Sequence, residues 1–175
     1  MAGAVLRLDR RIAVPPHVTQ PYPFLPRAAL RFGFLGLAPL AVSALVSLSQ
    51  HASTALLGAF SFAIYAAALL SFLGGVRCGF EFMRAPEAPS ALRLFFSALP
   101  SLAGWALALF VVFVPAAVGA ASAFAGLFAA QYVWDHRSAA DAGAPDWYPL
   151  LRRVLTGGAM IVCLLIPLAT ALHRF

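Results

Sequence analysis

The side chains able to do chemistry in this sequence are few, and they stand in short segments between long apolar runs. Twelve basic residues, all arginine, and six acids carry the charge. Arg77, Glu81, Arg93, Asp135, Asp146, Arg152 and Arg153 fall at the ends of apolar runs or in the two most polar connections. Guanidiniums and carboxylates so placed can tie a loop to a helix as an ion-pair network. They can equally take an anionic lipid headgroup or an acidic group of a partner subunit. Arg77, Glu81 and Arg84 share one side of a helix, but arginine before glutamate is the weaker order for an intrahelical pair. Arg77 is therefore expected to reach another element. Asp135 closes a different apolar run at the same expected depth, and a bidentate Arg77–Asp135 pair is predicted.

Other chemistries find little support. His17, His51, His136 and His173 all avoid the middles of the apolar runs, which argues against a haem held between helices. Only His51 and His173 could meet at one face, as a sparse metal or haem site. Cys78 and Cys163 are expected at different depths, too far apart for a disulfide. The sequence has no CxxC, HExxH, P-loop or nucleophile elbow, and no paired catalytic carboxylates. No catalytic residue, metal ligand or cofactor-binding residue is assigned, and no cofactor is predicted. The net charge of +6 forms no basic stripe with interleaved aromatics, so nucleic acid is not an expected partner.

The elements that must position these residues are membrane spans. The chain has 175 residues, 62% hydrophobic and 10% charged, with a mean hydropathy of +0.88. Soluble domains carry about 25% charged residues. The expected fold class is all-α: a polytopic membrane protein with a bundle of five transmembrane helices. The expected spans are 32–48, 54–83, 94–114, 116–134 and 154–172, with a short helix from Pro149 ahead of the last. Residues 1–31 read as a cytoplasmic, proline-rich arm whose first part could lie on the membrane surface. A mitochondrial targeting reading is weakened by Asp9 and by the lack of serine. Residues 173–175 form a short outer tail.

The second span is the longest, and small residues recur along it every fourth position: Ala63, Ala67, Ser71, Gly75 and Gly79. Such a stripe makes a flat face for another helix, and Gly75–Gly79 is a GxxxG. Ser101 and Gly104 in the third span and Gly126 in the fourth are expected to pack in the same way. The fourth span, the smallest-sided, is expected at the centre of the bundle. Trp105, near mid-span, is expected to face protein. Pro39, Pro100 and Pro167 lie inside spans, and Pro39 should free the Leu35 carbonyl.

With five spans, eleven of the twelve arginines fall on the side of the N-terminus, which predicts a cytoplasmic N-terminus. The expected setting is a bacterial inner membrane, or the mitochondrial inner membrane in a eukaryote. The expected partners are the bilayer with its anionic headgroups and a membrane protein. Small-residue faces and absent catalytic groups favour a non-enzymatic accessory subunit or assembly factor of a larger complex. A small-solute channel or carrier is a second reading; it needs a polar cavity at mid-depth, for which the serines and Gln131 are the available lining. A lipid- or cofactor-binding protein is a third.

Three segments carry a family resemblance: ALLSFLGGVRCGFE at 68–81, SALPSLAGWALAL at 97–109 and PDWYPLLRRVLT at 145–156. Together they resemble the transmembrane-protein-69-like family of uncharacterised membrane proteins, over about 32–172. The resemblance implies a five-span bundle in bacterial or mitochondrial inner membranes and no established activity. Cys78 stands where that family often has an aromatic residue.

Overall fold

The computed structural model describes residues 25–114, 117–139 and 144–172. Five helices follow one another: α1 Arg27–Ser47, α2 Ala52–Arg84, α3 Ala91–Phe113, α4 Ala117–Ala139 and α5 Tyr148–Leu172. Each is long and apolar enough to cross a membrane. The protein is an all-α, multi-pass membrane protein. Residues 1–24 of the expected 1–31 arm and the tail at 173–175 lie outside the described residues, while 27–31 of that arm are the first turns of α1.

The helices outrun the apolar segments that announce them. α1 starts at Arg27 because Pro26 and its extended backbone mark the turn before it. α5 is one helix from Tyr148, with Pro149 in its first turn, where a missing N–H costs nothing. The expected short helix before the last span is therefore that helix's own first two turns. Arg152 and Arg153 belong to it.

Neighbours in sequence are neighbours in space, and α1 closes the ring against α5. Across the ring, α2 meets α4, where Phe62 and Phe124 pack edge to face with centroids 6.0 Å apart. α2 therefore packs along three helices, meets α5 near its end through Phe80 and Tyr148, and shares the centre with α4. The core is Leu40, Ala44, Phe62, Ala66, Leu70, Ala121, Phe124, Phe128, Cys163 and their neighbours. The buried polar residues Glu81, Ser97, Gln131, Asp135, Arg152 and Thr156 all lie toward one end. The middle of the described core is apolar.

The inward side of α2 is not the expected stripe. Its buried positions include Ala63, Ala66, Leu70, Gly74 and Glu81. With Arg77, whose side chain is only 10% exposed, they follow the three-and-four spacing of one helical face. Gly74, not Gly75, makes the close approach: a side chain there would strike the Ser97 backbone carbonyl of α3. A Cβ at Gly75, Gly79 or Gly126 would meet nothing within 4 Å, and Ser71 is exposed. One residue of offset turns a helix by about 100°, so the expected GxxxG points outward. Ser101 and Gly104 do face α2: a Cβ at Gly104 would lie 3.1 Å from Ala67 Cα and 3.3 Å from its Cβ, and Ser101 lies beside Gly74. Trp105 is 62% exposed on the outside of α3, not turned toward protein within this chain.

Pro39 lies inside the continuous α1 and lacks the N–H that would bond the Leu35 carbonyl; beside that carbonyl, the Tyr65 hydroxyl of α2 donates to the Gly36 carbonyl at 2.8 Å. The bond sits one residue beyond the carbonyl at Leu35 that proline was expected to free.

The packing predicts opposite outcomes at adjacent glycines. Gly74→Ala should destabilise the bundle by about 1–3 kcal/mol, the range for overpacking against backbone that cannot give. Gly75→Ala should leave stability unchanged or slightly raised, since alanine is the better helix former. Thermal unfolding of the two variants in one detergent checks this; equal melting temperatures would refute the assignment.

Candidate functional site: a carboxylate shared by two arginines

Three helices bring their charges together at the end of the bundle where α2 and α4 finish and α5 begins. Each side chain is placed by helical spacing. Gln131 and Asp135, one turn apart on α4, both point inward and are both 4% exposed. Arg152, in the second turn of α5, is 6% exposed. Asp135 is the hub. One carboxylate oxygen, Oδ2, accepts from Arg152 Nε at 2.9 Å and from its Nη2. The other, Oδ1, accepts from Gln131 Nε2 at 3.1 Å. Arg77 Nε stands 3.6 Å from Oδ1.

Arg77 and Asp135 thus form an ion pair, but not the bidentate one expected. Arg152 holds the carboxylate with two N–H groups and leaves Arg77 the longer contact. The Arg77 guanidinium instead lies over Trp134, its Cζ 4.5 Å from the ring centroid. That is a cation–π contact. Trp134 rests in turn on Phe96 of α3, with centroids 5.1 Å apart. On the far side, Tyr148 lines the same pocket as Asp135 and Arg152 and packs edge to face on Phe80 at 5.1 Å.

Glu81 belongs to a separate cluster. Its carboxylate accepts from Arg84 Nε and Nη2, both at 3.1 Å, and from the Ser90 backbone N–H at 2.8 Å. Ser90 precedes α3, so Glu81 fastens the end of α2 to the start of the next helix. Arg93 adds its positive charge near Glu81. Asp146 is exposed in the turn before α5 and makes no ion pair among the described residues. Arg153 donates weakly to the Tyr132 hydroxyl at 3.4 Å. The seven expected charges thus divide. Arg77, Asp135 and Arg152 come together, Glu81 and Arg93 form a second group, and Asp146 and Arg153 stand apart.

Three contributors had not been assigned from the sequence. Gln131 had a signal, since it sits one turn before Asp135. Trp134 and Tyr148 had none as partners, since an aromatic at the end of an apolar run equally suits the membrane interface. His51 is exposed at the start of α2, and its expected neighbour His173 is outside the described residues. Cys78 is half-buried and Cys163 fully buried; both are free thiols.

Two clefts run to this cluster. One, of about 150 Å³, lies between α3 and α4 and has Arg77, Gln131 and Trp134 at its polar end. The other, about 120 Å³, lies among α1, α2 and α5 and reaches Arg152 and Thr156. A family model described as "Protein of unknown function (DUF3429)" matches residues 25–169. The chain belongs to the DUF3429 family. No curated protein and no solved structure matches it. The match spans all three segments that form the charged cluster of this DUF3429 protein.

The shared carboxylate predicts unequal losses. Asp135→Leu leaves two guanidiniums facing each other and should cost about 3–5 kcal/mol, the range for breaking a buried pair. Arg152→Ala should cost more than Arg77→Ala, because Arg152 makes two hydrogen bonds to Asp135 and Arg77 makes none. Arg77→Lys should rescue little, since a compact ammonium cannot reach Asp135 and cover the Trp134 ring at once. Unfolding midpoints of the four variants in one detergent check the order; Arg77→Ala as the costliest change would overturn it.

Proposed function

We propose that this protein is a non-enzymatic accessory subunit or assembly factor of a larger membrane complex, and that it acts by association through the outer flank of α2. The observation that carries the reading is an unfilled small-residue face beside an unsheltered tryptophan. Ser71 and Gly75 are exposed, and nothing approaches the Cβ positions of Gly75 and Gly79. On α3, Ala103 lines the cleft toward α4 and Gly104 meets α2, so Trp105, one residue on, emerges on the opposite flank. Gly75 emerges on that flank too, on the far side of Gly74 from Arg77. Trp105 is 14 residues from the start of α3, about 21 Å along its axis. That depth is hydrocarbon, where lipid offers the indole N–H no acceptor. A partner helix packed on the glycines supplies both the van der Waals contact and the acceptor.

The setting proposed is a bacterial inner membrane, or its mitochondrial counterpart, with the N-terminus cytoplasmic. The arginine imbalance and the resemblance to the transmembrane-protein-69-like family support it.

A photo-crosslinking side chain at Ser71 tests the reading in native membranes, with the same group at exposed Ile161 of α5 as control. A specific adduct to a different membrane protein from position 71 alone is expected. Gly75→Leu should remove that adduct and leave the melting temperature of the isolated bundle within about 2 °C. Adducts to lipid alone, or to a second copy of this chain alone, would overturn the accessory reading.

A further inference from the structure

The charged cluster carries one positive charge more than it neutralises. Arg77 and Arg152 face Asp135; Glu81, the nearest other acid on α2, is engaged by Arg84 and the start of α3. The surplus does not rest equally on the two arginines. Arg152 directs Nε and Nη2 at the carboxylate. Arg77 offers only Nε, at 3.6 Å, and its terminal Nη1 and Nη2 donate no hydrogen bond among the described residues. Its side chain is nevertheless nine-tenths buried. The nitrogens left without a partner are the part of the side chain that stays accessible, so an acceptor can reach them from the cleft.

Arg77 also lines the cleft between α3 and α4. The cleft's walls are Phe96, Leu99 and Ala103 on one side and Leu127 on the other, with Gln131 and Trp134 beside the guanidinium. Its volume, about 150 Å³, is that of a cavity able to take a benzene-sized apolar group. One end is cationic with free donors, and the rest is apolar and open along the helices. No small hydrophilic anion would be served by such walls, and no neutral hydrocarbon by such an end.

We propose that this cleft is a binding site for an anionic amphiphile: an acidic headgroup, phosphate or carboxylate, accepting from Arg77 Nη1 and Nη2, with the first methylenes of its chain between α3 and α4. The headgroup neutralises the surplus charge. Gln131 and the Arg77–Asp135 contact hold the guanidinium at the cleft's inner end. Trp134, braced by Phe96, underlies the guanidinium and steadies it there. The site is built from the inward faces of α2, α3 and α4. It does not depend on the outer α2 flank proposed for partner contact.

Trp134 supplies the readout, because an acyl chain in the cleft passes its ring. The protein in detergent micelles is titrated with phosphatidylglycerol carrying dibrominated chains, which quench nearby tryptophan. Dibrominated phosphatidylcholine is the neutral control, and unlabelled oleate and inorganic phosphate are competitors. The expected result is saturable quenching at least tenfold tighter for phosphatidylglycerol than for phosphatidylcholine. Trp134→Phe should remove the saturable part, and oleate should compete while inorganic phosphate does not. Arg77→Gln should reduce phosphatidylglycerol to the phosphatidylcholine level. Ala103→Phe should fill the cleft and abolish saturable binding with the ion cluster intact, so a folding defect in the arginine variant does not shelter the proposal. Equal affinity for the two lipids, an unchanged preference in folded Arg77→Gln, or displacement by inorganic phosphate at equal concentration would overturn it.

Discussion

Asp135 lies between two guanidiniums, and the placement of three helices at that end follows from how its carboxylate is shared. In a soluble bundle the hydrophobic effect would press the helices together and the ion pair would be secondary. Lipid chains are as apolar as leucine, so no such force acts between helices in a bilayer. What distinguishes the right arrangement from a rotated one must be shape or polar contact. A helix turned by one residue would carry Asp135, Arg77 or Arg152 out of register with the other two and leave a charge unpaired at depth. A buried pair is weak evidence of net stability, because its desolvation offsets much of its attraction. Its strength lies in that penalty: few wrong arrangements of α2, α4 and α5 are tolerated. Gln131 reinforces this by occupying the lone pair of Asp135 that Arg77 reaches only loosely.

Shape does the rest, through the alternation of glycine with phenylalanine. Gly58 of α2 sits against the backbone of Ser47 in α1, and Gly74 against the carbonyl of Ser97 in α3. These two approaches bring neighbouring helices close along opposite sides of α2. Across the ring, Phe62 and Phe124 hold α2 and α4 apart by the width of two rings and fill the space between. The result is a short-sided ring with an apolar middle. Tyr65 adds a polar link where Pro39 has loosened α1, so a proline that weakens one helix is tied to the next.

The number of helices, their class and their approximate limits were legible, because twenty apolar residues in a row admit few structures. Their ends were less so. An apolar run measures the depth of the hydrocarbon, not the length of the helix, and α5 continues through Tyr148, Arg152 and Arg153 because nothing there breaks it. The Arg77–Asp135 contact followed from depth and chain direction. The face of α2 did not follow from its small residues, since a stripe of glycines and alanines shows where a helix can approach, not that one does. The arginine was the better guide. Arg77 had to point toward its acid, and the positions three, seven and eleven residues before it are Gly74, Leu70 and Ala66, all buried. Charges near a span's end mark the inside of this bundle, contrary to the habit of reading them as the solvated side. Trp134 was not legible at all, because the contact between a ring on α4 and a guanidinium on α2 depends on the tilt of one helix against another.

The length of α2 explains why such a cluster forms at this level. Its 33 residues extend about 50 Å, against about 30 Å of hydrocarbon. Either the helix leans or its surplus turns stand in the headgroup layer. The contacts of its last turns favour the second. Arg77 is bound to α4, Phe80 to Tyr148 of α5, and Glu81 to the start of α3. A strongly leaning helix would pull these three neighbours apart, since they surround it on different sides. The surplus turns therefore act as a post around which the ends of α3, α4 and α5 are fixed at headgroup depth. Charge there is cheaper than in the hydrocarbon and dearer than in water, and Arg77 stands at the polar end of a cleft whose other walls are apolar. A cation held at that level by a post it cannot leave has its field directed along the cleft. The same three contacts that fix the bundle's end thereby fix Arg77 at the polar end of that cleft.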